Sequence, residues 1–243
     1  MNGKFPEKPY VHSFFGNNVG ANLPGSNSLE GKSVYIDAGH GGTDFGATNG
    51  AYTESELALD ISYRVAGILA SQGATVYMSR TSQTEWNTPM SGRGENWEWE
   101  RFPETNRSPG ERARHANSLD VDFLVSIHLN SNNTGIRGWI QRDLLGQGRG
   151  TTVLFDQDAN RAVAELVNHM IGRNSLLRVN DVVFDMDQGV LSEAHMTAIL
   201  TESGYMGGDL EILLCAIERQ IIAEGIAHGI MIYLLDDGHR TMC

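Results

Sequence analysis

Short apolar runs alternate with stretches of helical periodicity along most of this chain, and that alternation limits the folds open to it. Residues 33–37, 74–79, 121–128, 151–155 and 197–202 have the length and apolar content of buried strands. Between the first two, residues 54–71 carry Leu57, Ile61, Val65, Ile68 and Leu69 at helical spacing, and Gly73 ends the pattern. Residues 111–118 and 160–173 read as further helices. Residues 210–235 read as one closing helix with Leu213, Leu214, Ile217, Ile221, Ile222 and Ile226 on its apolar side. Strands that alternate with helices imply crossover units, and crossovers build a largely parallel sheet: an α/β fold. Residues 1–31 are rich in Gly, Asn, Pro and Ser without sustained periodicity, so an N-terminal arm or linker is expected there, followed by one folded domain over 32–243.

Charge and length exclude several functions. The 243 residues hold 18 Lys and Arg against 30 Asp and Glu, a net charge of -12. That balance disfavours nucleic acid and anionic membrane surfaces as partners, since both need basic surface. No apolar run reaches the roughly 18–20 residues that span a bilayer, so no membrane insertion is expected. Two cysteines, Cys215 and Cys243, cannot build a disulfide scaffold. Residues 1–10 show no apolar h-region, so no signal peptide is visible. Two phosphate-loop patterns also fail. Gly31-Lys32-Ser33 precedes a strand instead of following one, with five residues after Gly25 where a P-loop has four. Gly39-His40-Gly41 has Asp44 where a dinucleotide loop has its third glycine.

In open α/β sheets, sites gather beyond the C-terminal ends of the strands. The first strand delivers His40, the 121–128 strand His128 and the 197–202 strand Glu202, while Glu54 opens the helix after the first loop. Two imidazoles and a carboxylate with one open position suit a hydrolytic zinc. A further carboxylate that is not a ligand must then move protons, and Glu202 is available for that task.

The ordered segments 36–44 (Ile-Asp-Ala-Gly-His-Gly-Gly-Thr-Asp), Gly46-Ala47, Glu54, 126–130 (Ser-Ile-His-Leu-Asn) and 200–204 (Leu-Thr-Glu-Ser-Gly) resemble the zinc-dependent N-acetylmuramoyl-L-alanine amidases of the type 3 family. Ser79-Arg80-Thr81, Arg112 and Ala116-Asn117 are supporting matches, and the resemblance runs from about residue 34 to 233. It implies a three-layer, mostly parallel mixed sheet flanked by helices, phosphorylase/hydrolase-like, with 32–243 as the catalytic domain. It implies one Zn2+ per chain held by His40, Glu54 and His128, with Glu202 as the catalytic carboxylate. The choice of Glu54 over Glu56 follows from the family's apolar residues three, five and seven positions after the ligand, which Leu57, Leu59 and Ile61 match. The implied substrate is peptidoglycan, cut at the amide between N-acetylmuramic acid and L-alanine. The implied site of action is the cell wall, periplasm or extracellular space. A zinc peptidase acting on the stem peptide and a non-catalytic peptidoglycan-binding module are the competing readings.

Two departures from the family stand out. The stretch between Arg80 and Arg112 is longer, and Thr201 and Ser203 are more polar than the usual neighbours of the acid. Trp86, Trp97 and Trp99 in that stretch are expected to pack it onto the domain, the alternative being a platform for sugar faces. Asp44 is expected to organise its loop by an Asx-type turn, and Glu193 and His195 to lie on a surface loop. His12, His115, His169, His228 and His239 are read as ordinary polar residues. The interval between Asn130 and Thr201 leaves little length for a helix that could plug the site, so an open site is expected.

Overall fold

The computed structural model describes residues 28–83, 108–131 and 148–236. The expected arm up to residue 27, residues 84–107 with the three tryptophans, and His12 and His239 lie outside these residues. So does the segment 132–147 of the interval considered for a plug.

In chain order the elements are β1 (Ser33–Ala38), β2 (Thr48–Asn49), β3 (Tyr52–Thr53), α1 (Glu54–Ser71), β4 (Thr75–Met78), α2 (Pro109–Ser118), β5 (Phe123–Asn130), β6 (Thr151–Phe155), α3 (Arg161–Asn174), β7 (Val183–Phe184), α4 (Gly189–Ser192), β8 (Thr197–Tyr205), α5 (Leu210–Leu214) and α6 (Ala216–Asp236). Six strands form one sheet in the order β4-β1-β5-β8-β6-β7. Every pairing is parallel except β6 with β8, so the sheet is mixed and mostly parallel.

Alternation along the strands sorts side chains into two cores. Val34, Ile36, Val125, Ile127, Val153 and Ile199 face α1, α3 and α6, which contribute Leu57, Ile61, Val167, Ile171, Ile222 and Ile226. Tyr35, Leu124, Leu154, Ala198 and Leu200 face α2 and α4, where Ala113, Ala116, Val190 and Leu191 meet them. The result is three layers. Leu29 lies within the segment expected as an arm, yet it is fully buried in the larger core and its N–H bonds Gln72 O at 2.8 Å. Among the described residues no helix is long and apolar enough to cross a membrane.

Helix α1 spans the expected residues because both ends are signalled locally. Thr53 and Glu56 form a reciprocal capping box at its start, and Glu54 and Glu56 place negative charge against the helix N-terminus. The closing helix differs from the expectation. It breaks at Cys215, whose backbone is extended at φ -75 and ψ 117. Arg219 satisfies a carbonyl freed by the break, donating to Leu213 O at 2.7 Å. The break shifts the helical phase, so Leu213 is buried while Ile217, four residues on, is 71% exposed.

Candidate metal centre and active site

His40 follows β1 in a tight loop whose backbone sits in a left-handed conformation at φ 59. A non-glycine residue there costs on the order of 1 kcal/mol and needs surrounding bonds to hold it. Two buried arginines supply them. Arg112 of α2 donates to Ala38 O at 3.1 Å and His40 O at 2.9 Å, and pairs with Asp37 at 2.7 Å. Arg80, 1% exposed, donates to Ala38 O, Gly39 O and Ser55 O, tying the loop to the first turn of α1. Burial, then the charge of Arg112, lowers Arg80 to about 10, so it stays protonated at neutral pH. Asp37 is held below its ordinary range, because Arg112 and a hydrogen bond from Ser126 outweigh the cost of burial.

His128 lies two residues before the end of β5, and Gly39 stands beside it. A Cβ at Gly39 would come within 2.6 Å of the His128 ring, so only glycine leaves that ring its place. Glu54 reaches in from the N-terminus of α1 and is 4% exposed. His40 Nε2 lies 3.0 Å from Glu54 Oε1 and 3.1 Å from His128 Nδ1, which is 2.9 Å from the same Oε1. The structure thus brings His40, Glu54 and His128 together as one group of possible metal ligands. Glu56, the alternative carboxylate, is instead engaged in the capping box.

Whether this group suits a cation depends on where its protons are. His40 Nδ1 is 2.8 Å from Asp44 Oδ2, and a carboxylate accepts, so Nδ1 donates. In the neutral ring Nε2 then presents a lone pair to Glu54 Oε1 and His128 Nδ1. Glu54 is itself oriented by the N–H groups of Leu129 at 3.0 Å and Ala47 at 2.8 Å. Facing acceptors repel unless a proton or a cation lies among them. Their separations approach the ~3.3 Å edge of a tetrahedron of ligands placed about 2.0–2.1 Å from zinc. Two nitrogens and one oxygen also leave a fourth position open, so the residues present fit the metal. The electrostatics agree. Burial pulls His40 down, but Glu54 and then Asp44 outweigh it and leave the ring raised. Burial pushes Glu54 up, but His128 and His40 outweigh it and hold the carboxyl well below its usual range.

Glu202 lies on β8, in register with His128 of β5 and with Thr152 of β6. It is 7% exposed, and its Oε2 has no hydrogen-bond partner among the described residues. Burial and then the charge of Glu54 raise its pKa well above the carboxylate range. The hairpin of β2 and β3 spans from the His40 loop to the loop after β8, where Asn49 donates to Met206 O at 2.9 Å. Tyr205, three residues past Glu202, is pushed up to about 12 by burial and by the charges of Glu202 and Asp209, with Arg178 opposing.

Other residues singled out from the sequence find other work. Asp44 makes the expected turn by accepting Gly46 N–H at 3.0 Å, but it also orients His40, which sequence reasoning missed. The spacing of four residues between them was the available signal. Glu193 and His195 are exposed on a loop, and Asn117 holds that loop by donating to Glu193 O and accepting from His195 N. His115 is buried and pairs with the Tyr35 hydroxyl at 2.9 Å. His169 and His228 take no part in the metal group.

The family model described as N-acetylmuramoyl-L-alanine amidase matches residues 34–231. The chain belongs to that family. Among amidases, the germination-specific N-acetylmuramoyl-L-alanine amidase of Bacillus subtilis (strain 168) is 36% identical over 108 residues, 44% of this chain. The match spans 43% of that relative's length. The N-acetylmuramoyl-L-alanine amidase of Clostridium difficile 630 superposes with a TM-score of 0.66 at 27% identity, covering 85% of this chain and 98% of that one. The amidase AmiC2 of Nostoc punctiforme superposes with a TM-score of 0.65 at 28% identity, covering 84% and 97%. The span matched by the family model takes in His40, Glu54, His128 and Glu202.

Proposed function

We propose that residues 32–243 form the catalytic domain of a peptidoglycan hydrolase that cleaves the amide between N-acetylmuramic acid and the L-alanine of the stem peptide. The convergence of His40 Nε2, Glu54 Oε1 and His128 Nδ1 carries this reading. These three residues would hold one Zn2+. Zinc there supplies Lewis acidity, which polarises a carbonyl and acidifies water. Asp44 fixes the tautomer of His40, and the N–H groups of Leu129 and Ala47 fix the Glu54 carboxylate. Glu202 takes the proton of the attacking water and returns it to the leaving nitrogen of L-alanine. Its setting suits both tasks, since burial and the Glu54 charge make it a stronger base than an exposed carboxylate. Strand β8 holds it in register with His128, so acid and ligand move as one sheet.

The substrate lies outside the cytoplasm, so the cell wall, periplasm or extracellular space is the place of action. The test is mass spectrometry of soluble products from purified peptidoglycan, with and without chelator. New N-terminal L-alanine on stem peptides, lost with chelator and restored by zinc, is the expected result. Cuts within the stem peptide would make the protein a zinc peptidase. Binding without any new N-terminus would make it a binding module.

A further inference from the structure

Strand β6 runs antiparallel to β8, so its first residues arrive at the same sheet edge as Glu202: Thr152 pairs with Glu202 and Thr151 with Ser203. The residues just before β6 therefore form the rim on the side away from His40. Arg149 stands there. Its side chain lies across Gly208, where a Cβ would meet Arg149 Cγ at 2.7 Å. The segment before β7 joins it through Thr151 N–H to Arg178 O at 2.8 Å and Asn180 N–H to Thr151 O at 2.9 Å. Arg178 is thereby placed next to Arg149 along the rim.

Asn180 organises both arginines. Its Oδ1 accepts from Arg178 Nε at 3.1 Å, and its Nδ2 donates to Arg149 O at 2.8 Å. With Nε engaged, the two terminal nitrogens of Arg178 are left for an external acceptor. Both arginines are exposed, and neither has an acid partner among the described residues, in a chain of net charge -12. The nearby Asp209 is buried and turns its Oδ2 to the N–H groups of Gly150 at 2.7 Å and Tyr205 at 3.0 Å, and it forms no ion pair with either arginine. The opposite rim carries Asp44 and the ring of Phe45, 57% exposed. The edge is thus polar in its charge: acidic and aromatic beside His40, cationic beyond Glu202.

We propose that Arg149 and Arg178 form a carboxylate-binding subsite that takes an acidic residue of the stem peptide, on the leaving-amine side of the scissile bond. This rests on the amidase reading and adds a direction to it. The glycan then extends toward the Phe45 rim and the peptide toward β6. A guanidinium with its Nε held presents a flat pair of donors that matches a carboxylate and discriminates against the neutral amide.

The test uses the full chain with zinc and two soluble muramoyl-L-alanyl peptides. One has a free carboxylate on the residue after alanine, and the other has that group as an amide. For the wild type, KM should be lower for the carboxylate form. Arg178→Gln should raise KM for that form about tenfold with kcat, zinc content and Tm held, and erase the preference between the two. Arg178→Lys should recover part of the effect, because charge returns without the fork. Arg173→Gln, at the exposed end of α3, should change neither substrate. Cleavage of both peptides at equal KM by the wild type, or an equal loss on both in Arg178→Gln, overturns the subsite while leaving the amidase standing. A wild type that releases N-terminal alanine from neither overturns both.

Discussion

Replacing Glu202 by Gln separates proton transfer from metal binding, and the structure sets opposite signs for its two effects. The amide keeps the size of the carboxyl but cannot accept a proton, so turnover should fall by about 10²- to 10⁴-fold. Zinc content should stay near one per chain, because the candidate ligand group of His40, Glu54 and His128 does not include Glu202. Stability should move the other way. Burial and the Glu54 charge raise the folded pKa of Glu202, so the ionised carboxyl opposes folding of the metal-free protein. For an acid whose folded pKa is raised, that cost is absent below the unfolded value and grows as pH rises above it. Gln removes the cost. Metal-free Glu202→Gln should therefore melt above metal-free wild type at pH 7–8, with the gap closing toward pH 4. Each kcal/mol relieved is worth about 2–4 °C in a domain of this size. The assay is zinc content, turnover and thermal melting across pH on one preparation. Unchanged turnover would remove Glu202 from the chemistry. Lost zinc would make it a ligand, and a lower Tm at every pH would refute the electrostatic argument.

Three further outcomes follow from the same geometry. Asp44→Ala frees the His40 ring, so zinc affinity measured against a competing chelator should drop about 10- to 100-fold, and an unchanged affinity would remove Asp44 from that role. Gly39→Ala drives a Cβ to within 2.6 Å of the His128 ring, so zinc content and activity should fall while the far-ultraviolet circular dichroism stays native; full zinc occupancy in that variant contradicts the close approach. Acidification should act in two steps. Glu54 and Asp44 hold metal-free His40 above the ordinary imidazole range despite its burial, so protons compete with zinc for the ring as pH falls. Asp37 and Asp60 titrate below 3.8 in the fold, and the stability they contribute is present above that value and lost as pH falls through their lowered values. Zinc-indicator release near neutral pH and unfolding only below about pH 4 is the expected order; coincident transitions would show that the metal holds the fold.

The main strands, and the meeting of His40, Glu54, His128 and Glu202 at one sheet edge, are legible in the sequence because buried parallel strands are short, apolar and end at that edge. Helix α1 is legible for a different reason: Thr53, Glu56 and Gly73 mark its limits locally. What was not legible depends on contacts distant along the chain. Nothing in the composition of residues 151–155 tells that β6 reverses direction, yet the reversal places Arg149 at the rim. The two-residue strands β2 and β3 are too short for any periodicity to register. The break at Cys215 is stabilised by Arg219, and no local signal marks it. The functional sense of Arg80 and Arg112 is hidden likewise, since both act on backbone carbonyls of a loop far away in sequence.

Those two arginines also explain how so many acids share one edge. Glu54, Asp44, Asp37 and Glu202 bring four negative charges when ionised, and Arg80 and Arg112 bring two positive ones. The difference is two negative charges, which a divalent cation among His40, Glu54 and His128 would balance. Without it, balance must come from protons, and the raised values of Glu202 and His40 are where those protons go. Metal and protons therefore compete for the same charge deficit. Under the proposed function, neutral Nε2 on His40 and ionised Glu202 would belong to the metal-loaded state, the state in which Glu202 would act as a base. The buried arginines keep the deficit at two by neutralising Asp37 and the carbonyl-rich loop behind His40. Removing either would strand one more negative charge beside the candidate ligands as well as release the loop that carries His40.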